Sequence, residues 1–215
     1  MSSTPPTPPE PTATRYLYLA RHGEALPDGS GLSERGERQA ALLGERLAGR
    51  PISSIHHGPL PRAARTAHLV SAHLPDATLT VSDLAGDYVP YVPERHELPP
   101  DSADFLLAFL SHSTPEEREH GPALAAGAVE RFTGPAPGGN ERHELLITHA
   151  FLIAWLLRHT LDAPKWRWLG LNQANTGLTV LRWTPGRPPA VLLQNDQRHL
   201  PAELRWTGFP PEHHL

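Results

Sequence analysis

The chain has 215 residues, 39% hydrophobic and 20% charged, enough for one sizeable core and short for two, so a single domain is expected. Its 19 basic and 23 acidic side chains leave a formal charge of -4, without the broad positive footprint of a duplex-binding protein, and the absence of cysteine removes disulfides, thiolate nucleophiles and cysteine-bound metals. No apolar run nears the roughly 20 residues that cross a bilayer, and the first fifteen positions lack the apolar stretch of a secretory signal. A cytoplasmic protein with no membrane and no nucleic-acid partner is expected.

Residues 1–14 hold prolines among serine and threonine, a composition that buries no apolar surface and predicts a disordered tail. A folded domain is expected over 15–215. The run Tyr16-Leu17-Tyr18-Leu19-Ala20 predicts a buried first strand, and a helix follows from Ser33 as its cap to Gly49 as its stop. Ile52 to His56 predicts a second strand, Pro59 to Leu74 a helix with Ala63, Ala67, Val70 and Leu74 on one face, and Leu79 to Leu84 a third strand. The proline-punctuated loop from Gly86 to Pro100 and helices at Ser102 to Ser111 and Pro115 to Phe132 form an insert over about 86–132 that suits a lid. Beyond a Gly/Pro-rich break come a strand at Glu144 to Thr148, an apolar helix at Ala150 to Leu161, and strands at Thr176 to Trp183 and Ala190 to Gln194 joined through Pro185-Gly186. Strands alternating with helices imply an α/β three-layer sandwich with a mostly parallel sheet.

In such sheets ligands bind at the carboxyl ends of the strands. Three predicted strand ends carry the chemistry: Arg21-His22-Gly23-Glu24 after the first strand, Arg62 in the first turn after the second, and His149 after Leu145-Leu146-Ile147-Thr148. Two guanidiniums, a helix N-terminus and a second imidazole around one histidine suit a doubly charged phosphoryl group. Imidazole is a nitrogen nucleophile near neutral pH, so His22 could accept that group directly.

Arg21-His22-Gly23-Glu24, Gly58-Pro59-Leu60-Pro61-Arg62-Ala63 and Thr148-His149, in this order and spacing, resemble the histidine phosphatase superfamily, which includes phosphoglycerate mutases. The resemblance runs from about Tyr16 to Gln194 and takes in Leu32-Ser33-Glu34-Arg35-Gly36-Glu37-Arg38-Gln39-Ala40, similar to the family's first helix. It implies that His22 is the phosphorylated nucleophile, that Arg21, Arg62 and His149 form the phosphate pocket, and that an acid after the third strand donates the proton. We assign that acid to Asp87, with Asp83 and Glu94 as alternatives in the same region. Asp83-Leu84-Ala85-Gly86-Asp87 and Trp168-Leu169-Gly170-Leu171-Asn172 look most like the mitochondrial phosphoglycerate-mutase-like protein phosphatases. Two departures are visible: Gly58 stands where the family often has serine, and Arg65 where glutamine or glutamate is common. Mutase activity is disfavoured, because only Ala25 to Gly31 separate Glu24 from Leu32, where mutases carry a longer phosphoglycerate-holding segment.

The expected activity is hydrolysis of a phosphomonoester on a phosphorylated small molecule or phosphoprotein, with no cofactor and no metal. The rivals are a phospho-ligand binding module with little turnover, a mutase-type phosphotransferase, and a metal-dependent phosphohydrolase, the last disfavoured by the lack of an H-E-x-x-H or aspartate-rich motif. Glu24 is assigned to the substrate-binding rim without a mechanism, with Asn172 and Asn175 as further candidates for that rim. Arg65 is expected to pair with a carboxylate, and the His56-His57 and His213-His214 pairs are read as structural, since adjacent strand side chains point to opposite faces and the second pair has no fixed partners.

Overall fold

The computed structural model describes residues 12–209 with Glu212 and His214, so most of the tail expected over 1–14 lies outside the described residues. The end of that segment is structured, against expectation. Thr12–Ala13 (β1) pairs antiparallel with Ala136–Pro137 (β5), and Arg142 N donates to Thr14 O at 2.9 Å. A backbone ladder needs no apolar side chain, so composition alone misjudged these three residues.

The main sheet has six strands: β2 (Arg15–Arg21), β3 (Ser54–His57), β4 (Thr78–Val81), β6 (Arg142–Thr148), β7 (Leu178–Trp183) and β8 (Ala190–Asp196). Their order is β4-β3-β6-β2-β7-β8. The first four of that order run parallel, β7 lies antiparallel to β2, and β8 returns antiparallel to β7 to complete the expected hairpin. Alternation along β2 explains the layering. Leu17 and Leu19 join Leu146 and Leu181 on one face, while Tyr18 and Ala20 join Leu145 and Ile147 on the other. Each fully buried leucine contributes on the order of 1.5–3 kcal/mol, so both faces demand cover.

Helices α1 (Glu34–Leu47) and α2 (Pro61–Ser71) cover the second face through Leu43, Leu47, Ala63, Ala67 and Val70. On the first face lie α5 (Ala150–Thr160) and α4 (Pro115–Phe132), and the expected three-layer α/β fold results. Ser33 caps α1, its Oγ accepting from Gly36 N at 3.1 Å, and Gly49 follows the helix at φ +75°. In the insert, α3 (Ala103–Leu110) precedes α4, whose Thr114 and Glu117 form a reciprocal capping box.

The third strand stops short of its expected end. β3 offers four residues for pairing, so the β4 ladder closes at Val81, and Asp83–Ala85 coils into a 3-10 turn that redirects the chain toward Asp87. No helix among the described residues is long and apolar enough to cross a membrane.

Candidate phosphoryl-transfer site

The carboxyl ends of β2, β3 and β6 lie side by side, which brings three distant sequence motifs together. The β2/β6 ladder continues past Arg21, because His22 N donates to Thr148 O at 3.0 Å. His149 follows as the N-cap of α5, so an uncapped helix start faces the same end of the sheet. After β3, Gly58 turns the chain into α2, where Pro61 opens the helix and Arg62 occupies its first turn. A Cβ on Gly58 would lie 2.5 Å from Ala85 O and 3.2 Å from His149 Nε2, so the glycine that replaces the common serine is demanded here by close packing.

Gly23 has a similar reason. Its Cα faces the backbone of Gly36 on α1, where a Cβ would sit 3.0 Å from Gly36 C and closer still to Gly36 O. Gly36 in turn meets the backbone of Glu24. The two glycines let α1 press directly on the loop that carries His22.

His22 is 6% exposed, and its Nδ1 lies 2.7 Å from Gly23 O. A carbonyl only accepts, so Nδ1 carries the proton and Nε2 the lone pair. Arg62 Nε donates to that same Nε2 at 3.2 Å, which agrees with this tautomer. Burial, with Arg21 and His149 beside it, holds the His22 pKa down to about 3, so the ring is neutral at physiological pH. Asn175 Nδ2 donates to His22 O at 2.8 Å and fixes the backbone beneath the ring.

Arg62 Nη2 also donates to Asp87 Oδ2 at 2.7 Å, and this oxygen lies 3.4 Å from His149 Nδ1. Burial, then Arg62 and Arg21, depress His149 to about 3, so the His149–Asp87 approach is a contact of a neutral ring and not an ion pair. Neither His149 nitrogen has a hydrogen-bond partner among the described residues, although the side chain is 2% exposed. The two imidazoles stand 5.0 Å apart, centroid to centroid. Arg21 is anchored from below, donating through Nη1 to Gln173 O and Gly208 O, each at 2.9 Å. His22, Arg21, Arg62, His149 and Asp87 therefore share one site whose charge is set by two guanidiniums and one carboxylate.

Glu24 does not join them. Its carboxylate accepts from Ser33 Oγ at 2.8 Å and faces Arg35 at 3.6 Å, so the residue assigned to the rim holds the start of α1 instead. Of the alternative acids, Asp83 lies exposed in the 3-10 turn and Glu94 is 79% exposed beside His96. Arg65 pairs with a carboxylate as expected, but across to Glu37 on α1. His56 reaches Arg131 and Glu144, and His57 faces the Gly58 carbonyl, in line with structural roles; His213 lies outside the described residues.

Residues that sequence reasoning passed over hold the site together. Thr66 Oγ1 accepts from Gly23 N at 3.0 Å and donates to Arg62 O at 2.7 Å, tying the two arginine motifs to each other. Gln39 accepts from Glu24 N at 2.9 Å and donates to Leu204 O and Thr207 Oγ1. Thr66 lies one turn beyond Arg62, a spacing that could have marked it; Gln39 gave no signal beyond its being polar, and Asn175, a rim candidate, instead holds the His22 backbone.

Comparison with known proteins agrees with this geometry. The family model for the histidine phosphatase superfamily (branch 1) matches residues 17–196. The chain is 30% identical over 203 residues to the mitochondrial serine/threonine-protein phosphatase PGAM5 of Xenopus laevis, covering 90% of this chain and 70% of that protein. The human protein of the same name is also 30% identical, over 89% of this chain and 65% of its own length. The chain thus spans about two thirds of these relatives. Among solved structures, a putative alpha-ribazole-5'-P phosphatase from Escherichia coli superposes with a TM-score of 0.62 at 18% identity, covering 85% of this chain and 97% of its own. A phosphoserine phosphatase from Entamoeba histolytica superposes with 0.60 at 19% identity, covering 86% and 99%. These two show the shared fold.

Proposed function

The chain belongs to the histidine phosphatase superfamily and is a phosphatase by that membership, and we propose that it hydrolyses phosphomonoesters through a phosphate carried on His22, with no metal ion taking part. The observation that carries this reading is the fixed tautomer of His22: Nδ1 is committed to the Gly23 carbonyl, and the lone pair of Nε2 faces Arg62.

In the first step Nε2 attacks phosphorus in line, a P–N bond forms, and the bond to the ester oxygen breaks. Asp87, a carboxylate in the free site, takes the proton that the entering phosphomonoester monoanion carries and gives it to that leaving oxygen as the alcohol departs. In the second step the Asp87 carboxylate takes a proton from water as the water oxygen attacks phosphorus. The P–N electron pair returns to Nε2 and inorganic phosphate leaves. Arg21, Arg62, His149 and the first amides of α5 bind the phosphoryl oxygens, and charge neutralisation by the guanidiniums supplies the largest share of the rate, about 3 kcal/mol for one such group. Metal independence is supported by the make-up of the site among the described residues, where guanidiniums stand in the place of a divalent ion and Asp87 is paired with one of them. The substrate is a phosphorylated small molecule or a phosphoprotein; the curated relatives are named as serine/threonine-protein phosphatases.

The test is a rapid acid-free quench of enzyme with 32P-labelled substrate. Label on the protein that is stable in base, labile in acid and missing from His22→Ala is the expected result. Turnover by His22→Ala near the wild-type rate refutes the mechanism. No turnover of p-nitrophenyl phosphate by the wild type, with phosphate still bound, leaves only a phospho-ligand binding module.

A further inference from the structure

At the opposite end of the central strands, far along the sheet from His22, a second concentration of positive charge has no catalytic role. Arg15 opens β2 and Arg142 opens β6, and the two are directly opposite in the parallel ladder. In register on adjacent strands, their side chains leave the same face about 4.8 Å apart, an arrangement that is destabilising for like charges. Arg131 approaches from α4, and all three guanidiniums line one cavity of ≈ 590 Å³.

One buried carboxylate serves this group. Glu144, 1% exposed, accepts from Arg15 Nη1 at 2.7 Å and from Arg131 Nη1 at 3.3 Å. The Arg142 guanidinium has no hydrogen bond or ion pair among the described residues, and neither has Arg15 Nε. Burial lowers the Arg15 pKa, and Arg131 and Arg142 lower it further against the opposing pull of Glu144. Glu130, the acid in the cavity wall, is solvent-exposed and forms no ion pair there among the described residues. Concave walls, crowded guanidiniums and an uncompensated charge together describe a receptor for an anion.

We propose that this cavity is a second anion site, separate from the catalytic pocket, that takes a small multivalent oxyanion between Arg15, Arg131 and Arg142. Its ligand offsets the crowding of Arg15 and Arg142 and ties together the starts of the two strands whose far ends hold His22 and His149.

Sulfate and citrate, titrated calorimetrically into the full chain in a chloride buffer, test this with thermal melting in parallel. Because sulfate also suits the catalytic pocket, the titration is run in Arg62→Ala, where that pocket is weakened, with and without Arg142→Glu. One sulfate or citrate site that raises the melting temperature of Arg62→Ala is expected, and Arg142→Glu should weaken it by about tenfold or more. Tighter binding of sulfate assigns a tetrahedral anion, tighter citrate a polycarboxylate. Without added anion, Arg142→Gln should melt at or above the wild type, because a like-charge contact is gone. No anion site in Arg62→Ala, or one with equal affinity in the presence of Arg142→Glu, overturns the proposal. Failure of the catalytic reading looks different: Arg62→Ala would then bind sulfate as the wild type does and keep its turnover.

Discussion

Replacing Gly36 with alanine tests how tightly the His22 loop is held by its neighbouring helix. The new Cβ would lie 2.8 Å from Glu24 N, 2.9 Å from Glu24 C and nearer still to Glu24 O. All three are backbone atoms, so no flexible side chain can yield, and the loop at Glu24 or α1 itself must move. Overpacking of this kind costs about 1–3 kcal/mol. For a domain of this size each kcal/mol corresponds to about 2–4 °C, so the melting temperature should fall by about 2–12 °C. The displaced backbone is two residues from His22, and a shift near 1 Å at a reacting group costs about 100-fold in turnover. Differential scanning fluorimetry and p-nitrophenyl phosphate hydrolysis read the two effects. Gly31→Ala is the control, since nothing lies within 4 Å of its Cβ and φ is not positive, and it should be neutral or gain about 0.4–1 kcal/mol. A Gly36→Ala protein with wild-type melting and turnover refutes the close-approach argument.

Three further outcomes follow from the pocket. Arg62→Lys should lose about 100-fold in kcat/KM and recover little over Arg62→Ala, because one ammonium cannot address His22 Nε2 and Asp87 Oδ2 together as Nε and Nη2 do; a near-wild-type lysine variant would refute the two-point role. Asp87→Asn should slow hydrolysis of alkyl phosphates by about 100- to 10,000-fold while sparing p-nitrophenyl phosphate, whose leaving group needs no proton, and equal losses on both would point to positioning. His22 and His149 are each held at about 3 in the fold against an ordinary value near 6.5. The unfolded chain therefore binds more protons between pH 6.5 and 3, and stability falls as the pH drops through that window, by up to about 1.4 kcal/mol per pH unit for each ring. Urea unfolding at several pH values should show a shallower dependence in His149→Gln, and an unchanged slope would contradict the depressed value.

The sheet was legible because its central strands are buried on both faces, and Tyr16 to Ala20 and Leu145 to Ile147 read as unbroken apolar runs. His22, Arg21, Arg62 and His149 were legible as a group because each ends or follows a predicted strand. β1 and β5 left no pattern, since two residues cannot show a period. The end of β4 was misplaced because the length of β3, a partner 24 residues upstream of its start, decides where the ladder closes. Glu24 was assigned to the pocket by its place beside His22, yet a loop residue's side chain goes where partners are, here Ser33 and Arg35. Gln39 and Asn175 act through backbone groups of the site, and such bonds depend on tertiary approach that no local spacing encodes.

The anchoring of Arg21 has a consequence for the order in which the enzyme comes into being. Its guanidinium is oriented partly by Gly208 O, an acceptor 187 residues further along the chain. Contacts that close so long a loop form late, after local helices and neighbouring strands have paired. During synthesis the first central strand emerges early, carrying a cation that cannot be fully aimed until the segment around Thr207 and Gly208 has arrived and bonded to Asn175. A chain interrupted before that point holds nearly all of its apolar core and an Arg21 guanidinium that lacks one of its two backbone acceptors. The aim of Arg21 is in this way settled by one of the last parts of the fold to arrive, long after the strand that carries it.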